Sequence, residues 1–179
     1  QRTGVEQSLG EAEIARLLSR ESGKAVRDCE GELDRAIDTF SLSAGEAIRI
    51  EGRHVPLDGS AMGAGRYAFL LRFPLGVVAA NTPFNAPVKL TAHKIARAPA
   101  AGNALVLKPP PQTPLAIQRM VGIVQEAGFP EGALNVIHGE AEIGKALVSH
   151  PGVDFITFTG STRAGAAIKA GSGLKRVAL

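Results

Sequence analysis

The residues best suited to chemistry in this chain sit at the ends of apolar runs. Gly160-Ser161-Thr162 follows the β-branched and aromatic run at residues 155–159 and precedes a helical pattern containing Ala164, Ala166, Ala167 and Ile168. A strand that passes into a helix through small residues presents unpaired backbone N–H groups at the positive end of a helix dipole. An anion such as a pyrophosphate is favoured there. Gly160 removes a Cβ at the turn, and Ser161 or Thr162 can cap the helix. A lone Gly-Ser-Thr also fits an ordinary tight connection, so other residues must decide. Lys108, after the run at 104–107, is a natural cation for hydroxyls or phosphate. Asn85, in the stretch Asn81-Thr82-Pro83-Phe84-Asn85, is a neutral amide donor. A solvated lysine and a turn asparagine are the plain alternatives for these two.

Two other features invite chemistry and are set aside. Gly63-Ala64-Gly65-Arg66-Tyr67-Ala68 fits the G-x-G-x-x-[GA] dinucleotide fingerprint letter for letter. The fingerprint works between a strand and a helix, whereas the turn-like "PLDGSA" precedes it and the strand-like "YAFLLRF" follows. The single cysteine, Cys29, lies between Asp28 and Glu30 in a helical pattern. Neighbouring carboxylates raise a thiol pKa and weaken its thiolate, so Cys29 reads as structural.

The elements that must position Ser161, Lys108 and Asn85 follow from the hydrophobic pattern. Strands are expected at 76–80, 104–107, 134–137, 155–159 and 176–179, with helices at 87–98, 115–127, 141–149 and 162–170. Five strands alternating with four crossover helices predict an α/β fold with an open parallel sheet and right-handed crossovers. Continuous apolar runs such as 155–159 imply strands covered on both faces. Sheets of this kind bind ligands at the carboxyl ends of their strands. The loops at 81–85, 108–111, 138–139 and 160–161 then share one rim.

Upstream, residues 11–19 carry Ile14, Leu17 and Leu18, and residues 25–40 carry Val26, Leu33, Ala36, Ile37 and Phe40 at helical spacing. An N-terminal helical lead with one buried face is expected. Between residues 46 and 73, the alternating stretches "IRIEG" and "RYAFLLRF" flank the Gly-rich "LDGSAMGAG". They predict a short antiparallel arm suited to contact with a partner subunit. The expected organisation is a helical segment over 1–45, the arm over 46–75 and the α/β unit over 76–179.

Composition narrows the function classes. A chain of 179 residues holds one ordinary domain with a sizeable core, and 45% hydrophobic with 21% charged residues is ordinary globular usage. The net charge is +3, with Lys and Arg scattered rather than clustered, so nucleic acid is not expected as a partner. No apolar segment is long enough to cross a bilayer, and residues 1–10 lack the charged-then-apolar order of a secretory leader. A cytoplasmic location is expected. One cysteine excludes an internal disulfide framework and leaves too few soft ligands for zinc, so no metal is expected.

Three stretches carry a family likeness: "FPLGVVAANTPFNAPVKLTAHKIARAPAAGNALVLKPPPQTPLA", "EAGFPEGALNVIHG" and "LVSHPGVDFITFTGST". In their order and approximate spacing they resemble the cofactor-binding part of the NAD(P)-dependent aldehyde dehydrogenase superfamily. The resemblance extends more weakly through "ESGKAVRDCEGEL" and covers residues 19–179. "TPFN" with "AHKIARA" is nearer the lactaldehyde-like and non-phosphorylating glyceraldehyde-phosphate-like branches than the branch with tryptophan before the asparagine.

The resemblance implies a Rossmann-like domain in an enzyme that oxidises a small aldehyde through a thiohemiacetal on a cysteine. Hydride passes to NAD or NADP, and an activated water hydrolyses the thioester. Asn85, matching the family's asparagine, would be catalytic, donating its side-chain N–H to the oxyanion. Thr82, Pro83 and Phe84 would line the nicotinamide side, and Lys108 would bind adenosine-ribose hydroxyls. Ser161 and the N–H groups near Gly160 would receive the pyrophosphate, with Thr159 and Ala164 beside them, and Gly139 and Gly144 would let their loop and helix approach the adenine end. Many NAD-using members carry a glutamate three residues after the lysine. Here that position is Pro111, which removes a repulsion against a 2′-phosphate and permits NADP without demanding it. A homo-oligomer is the implied assembly. The family's general-base glutamate and nucleophilic cysteine would follow "KRVAL", so the chain as given is expected to be inactive alone and to expose apolar surface at its last strand. The alternative is a stand-alone dinucleotide-binding or assembly module without catalysis.

Overall fold

The computed structural model describes residues 4–179, with side chains from residue 10 onward, so the reading of residues 1–10 lies largely outside the described part. Two long helices lead, α1 (Gly4–Ser22) and α2 (Val26–Ala47), followed by an antiparallel pair, β1 (Arg53–Pro56) and β2 (Tyr67–Leu70). The rest alternates: β3 (Val77–Asn81), α3 (Pro87–Ile95), α4 (Arg97–Ala100), β4 (Ala104–Lys108), α5 (Pro114–Glu126), β5 (Leu134–Val136), α6 (Ala141–Ser149), β6 (Phe155–Phe158), α7 (Thr162–Gly171) and β7 (Arg176–Ala178). The last five strands form one parallel sheet in the order β5-β4-β3-β6-β7. Among the described residues, no helix is long and apolar enough to cross a membrane.

Alternation of side chains along each strand sorts the sheet into two faces. Val78, Ala80, Leu105, Leu107 and Leu134 lie in one core with Val88, Ala92 and Ile95 of α3 and Ala116, Ile117 and Val121 of α5. Ile14 and Leu18 of α1 and Leu33 and Ala36 of α2 close that core from outside. Ala79 and Ile156 face the other way, against Leu147 and Val148 of α6, with Ile168 of α7 packed beside them. Because β3 is covered on both faces, its sequence reads apolar throughout until the final Asn81.

Side-chain clamps fix where β3 begins. The buried Asn103 accepts N–H bonds from Leu75 (2.6 Å) and Gly76 (3.1 Å) through Oδ1. Its Nδ2 donates to the carbonyls of Ala98 and Ala101. Asp154 Oδ2 accepts from Val77 N–H at 2.8 Å, tying the approach to β6 to the first residue of β3.

Three local expectations change. "IRIEG" is not a strand: α2 runs on to Ala47, Ile48 caps it, and pairing begins only at Arg53. The buried Thr39 and Ser43 keep the inner face of α2 in contact, so the helix outlasts its apolar pattern. The helix expected at 87–98 breaks into α3 and α4, because Pro99 has no N–H to continue the ladder. β6 is also less covered than its composition suggests. Only Ile156 of its four residues is fully buried, while Phe155, Thr157 and Phe158 stay partly exposed.

Candidate functional site

The strand order reverses between β3 and β6, and the crevice at their carboxyl ends is the switch point where open α/β sheets bind ligands. β3 and β4 end level, with Asn81 paired to Lys108, and β6 ends beside them, with Asn81 paired to Phe158. Backbone bonds tie the loops that follow: Thr159 N–H donates to Asn81 O (3.2 Å) and Thr82 N–H to Lys108 O (3.4 Å). The topology therefore brings Asn81, Thr82, Lys108 and Thr159 to one rim.

The floor of this crevice holds polar groups with unused capacity. Asn81 is 7% exposed, and its Nδ2 has no partner among the described residues. Lys108, 9% exposed, donates to the adjacent Pro109 carbonyl at 3.3 Å and retains further N–H donors. Burial pushes the Lys108 pKa below the usual lysine value, and Glu140 partly opposes this. Gly144 brings α6 against both groups: a Cβ there would lie 3.6 Å from Lys108 Cδ and 3.7 Å from Asn81 Oδ1. A buried amide and a buried ammonium left under-bonded are costly, so the floor is suited to a polar ligand. Thr82 is also buried, its hydroxyl accepting from Thr91 of α3 at 3.3 Å.

Ser161 is the N-cap of α7, its Oγ accepting from Ala164 N–H at 3.3 Å. Its own hydroxyl proton remains available, as do the first-turn N–H groups of Thr162 and Arg163, which have no intrahelical acceptor. Gly160 permits the turn, because a Cβ there would collide with the Phe158 ring. Gly139 holds φ +150, and a Cβ there would strike Ile143, so glycine alone fits the passage from β5 to α6.

The other two helices that start at the rim are already capped, by carboxylates that sequence reasoning missed. Glu32 of α2, 2% exposed, accepts through Oε1 from Val88 N–H (2.8 Å) and Lys89 N–H (3.1 Å) at the start of α3. Glu21 of α1 accepts from Leu115 N–H (2.7 Å) and Ala116 N–H (3.0 Å) at the start of α5. Among the described residues neither α6 nor α7 receives such a carboxylate from another element, and the α6 N-cap residue Glu140 makes no side-chain cap bond. Among the described residues an incoming anion therefore meets its most open helix N-terminus at α7, since α6 carries Glu140 at its N-cap and Glu142 in its first turn.

The remaining residues of the loops after β3 and β4 lie apart from this floor. Phe84 and Asn85 are exposed on the loop into α3, next to the partly buried Pro83, and Pro111 is exposed beyond Lys108. Lys94 of α3 is a further missed residue: it is 7% exposed and donates to Thr157 Oγ1 of β6 at 2.9 Å. Burial, with Arg97 nearby, pushes its pKa down to about 8. The fingerprint match at Gly63 runs from the turns after β1 into β2, with a strand and not a helix following its glycines. Cys29 is fully buried in α2, and burial foremost pushes its thiol pKa up.

A model of the aldehyde dehydrogenase family matches residues 7–179, beginning ahead of the residue 19 expected from the motifs. The chain is 45% identical over 168 residues to 3-sulfolactaldehyde dehydrogenase of Priestia aryabhattai, covering 93% of this chain and 35% of that protein. It superposes with a TM-score of 0.89 and 40% identity on NADP-dependent glyceraldehyde-3-phosphate dehydrogenase from Bacillus halodurans C-125 complexed with NADP, covering 93% of this chain and 36% of that one. Betaine aldehyde dehydrogenase from Staphylococcus aureus in complex with NAD+ superposes with a TM-score of 0.89 at 30% identity, covering 96% and 35%. The chain thus spans about a third of the length of these relatives. The matched span takes in the two carboxylate caps, the switch-point crevice and the open start of α7 together, and over it the chain belongs to the aldehyde dehydrogenase family.

Proposed function

We propose that these residues are the cofactor-binding part of an NAD(P)-dependent dehydrogenase that oxidises a small aldehyde to a carboxylic acid in the cytoplasm. One observation carries this reading: the unpartnered Asn81 amide and the under-bonded Lys108 ammonium lie buried at the switch point beside the open N-terminus of α7. A dinucleotide complements Lys108 and the start of α7. Its ribose hydroxyls can accept from Lys108, and its pyrophosphate suits the Ser161 hydroxyl and the free N–H groups of α7. Thr82, Pro83 and Phe84 then flank the nicotinamide, Thr159, Gly160 and Ala164 the pyrophosphate, and Gly139 and Gly144 keep α6 close to the adenosine end. Pro111 puts no carboxylate near the ribose, so NAD and NADP are both compatible. When bound, the cofactor supplies the hydride acceptor.

Asn85 carries the chain's own chemistry. Its exposed amide donates to the aldehyde oxygen as that oxygen becomes negative, and a fixed dipole does this with little reorganisation. Cys29 is unsuited as the nucleophile, being buried with a raised thiol pKa. In this reading the attacking thiolate comes from polypeptide outside these residues, since Cys29 is their one cysteine. Aldehyde, water and oxidised cofactor become carboxylate, reduced cofactor and released protons. The exposed apolar hairpin, with Tyr67, Phe69, Leu71 and Phe73, supports a homo-oligomer.

The test is aldehyde-dependent reduction of NAD or NADP by the full-length polypeptide that contains this segment. Asn85→Ala is expected to lower kcat by about 10²–10³ with little change in the cofactor KM. Lys108→Met is expected to raise the cofactor KM by about tenfold or more. Absence of cofactor binding in the unmodified protein would sink the proposal.

A further inference from the structure

The loop that carries Asn85 is held from outside. α3 begins at Pro87 with no side-chain bond from its own N-cap residue, Ala86. Glu32 of α2 supplies that cap through Oε1. Its other oxygen, Oε2, receives Lys24 Nζ at 2.9 Å, and the same Nζ donates to the backbone carbonyl of Asn85. One ammonium thus joins the carboxylate that caps α3 to the peptide from which the Asn85 side chain projects. Lys24 is itself anchored at the corner between α1 and α2. Ser19 Oγ donates to its carbonyl at 2.6 Å, and Gly23 turns the chain there with φ +73.

We propose that Lys24 and Glu32 are positioning residues for Asn85, fixing the direction of its amide without touching cofactor or substrate. The proposal rests on the reading of Asn85 as the oxyanion donor. A carboxylate bonded at once to two helix N–H groups and an ammonium is satisfied at both oxygens, and its three partners restrain one another. Truncating Lys24 leaves Glu32 still capping α3 but frees the Asn85 peptide. The donor at the reacting oxygen then loses its fixed position, and small misplacements of reacting groups are expensive in rate.

A double-mutant cycle in the full-length enzyme tests this. Lys24→Met is expected to lower kcat by about tenfold while the cofactor KM stays within about twofold, and Lys24→Arg to recover most of the loss. In the Asn85→Ala background the same Lys24→Met change is expected to alter kcat by less than about twofold, because the group it acts through is gone. An equal loss in both backgrounds, or no loss with Asn85 present, overturns the clamp. If Asn85→Ala alone leaves kcat unchanged, the oxyanion reading falls and the clamp with it. Should Lys24→Met fail to fold, Lys24→Gln is carried through the same cycle with the same outcomes, since its shorter amide does not span from Glu32 to Asn85.

Discussion

Lys94 and Cys29 are buried titratable side chains whose chemistry is set by their surroundings. Burial foremost lowers the Lys94 pKa from 10.5 to about 8, so in the window between these values the unfolded chain binds more protons than the folded one. Folding stability from this residue therefore rises with pH across that window and is lowest below it. Urea midpoints for the protein and for Lys94→Met, taken near the two ends of the window, should show a pH-dependent difference that shrinks toward the alkaline end; parallel curves would refute it. For Cys29, full burial and a raised thiol pKa predict that iodoacetamide labels it only on unfolding. Mass spectrometry after brief native exposure checks this, and rapid labelling would contradict the buried position. Lys108 and Ser161 were legible in the sequence because a polar residue that ends an apolar run must lie at the rim of a parallel sheet. Asn81 was not singled out, since the burial of its unpartnered amide, with Gly144 of α6 close by, depends on tertiary packing. Glu32 was illegible for another reason: its partners Val88 and Lys89 are 56 and 57 residues away in sequence, and no local pattern encodes such a bond.

Helix termini are where the elements meet the site, and two kinds of terminus behave differently. Those of α3 and α5 are held by carboxylates from α1 and α2, so the helical lead organises the rim as well as covering the core. Replacing Glu21 with Ala removes both acceptors at the start of α5 and should cost about 1 kcal/mol, as measured by chemical denaturation. A cost near zero would mean that solvent serves these N–H groups equally well. The repeating strands and helices were readable because covered parallel strands are apolar throughout and their helices are amphipathic, and α6 has the boundaries its pattern gave. The errors arose where the pattern was locally ambiguous. "IRIEG" alternates like a strand, yet Ile48 is 87% exposed and Ile50 is also exposed, so alternation here reflects no buried face. Pro99 lies just past the helix expected at 87–98 and inside α4, and its missing N–H acts back on the turn at Ala96.

At the scale of the whole molecule, the β1–β2 hairpin leaves a run of apolar side chains uncovered. Tyr67, Phe69, Leu71 and Phe73 alternate along one edge of the sequence and are 81%, 67%, 65% and 78% exposed. His54 on β1 lies against the Tyr67 and Phe69 rings, with centroids 6.3 and 5.6 Å away, which tethers the two strands to each other without covering them. A two-stranded ribbon is marginal in water by itself, and a run of exposed aromatic and aliphatic side chains is a surface that association would bury. A second copy of the same chain fits this role, because symmetric pairing presents the same apolar edge from both partners. The full-length protein should therefore sediment as a multiple of its chain mass. Changing Tyr67 and Phe69 together to Ser should move it toward the single-chain mass while leaving cofactor affinity within about twofold, since the hairpin lies outside the crevice. An unmodified protein that sediments as a monomer would show that something other than a second copy covers this edge. Loss of cofactor binding in the double variant would show instead that assembly supports the parallel sheet on which Asn81, Lys108 and Ser161 are arranged.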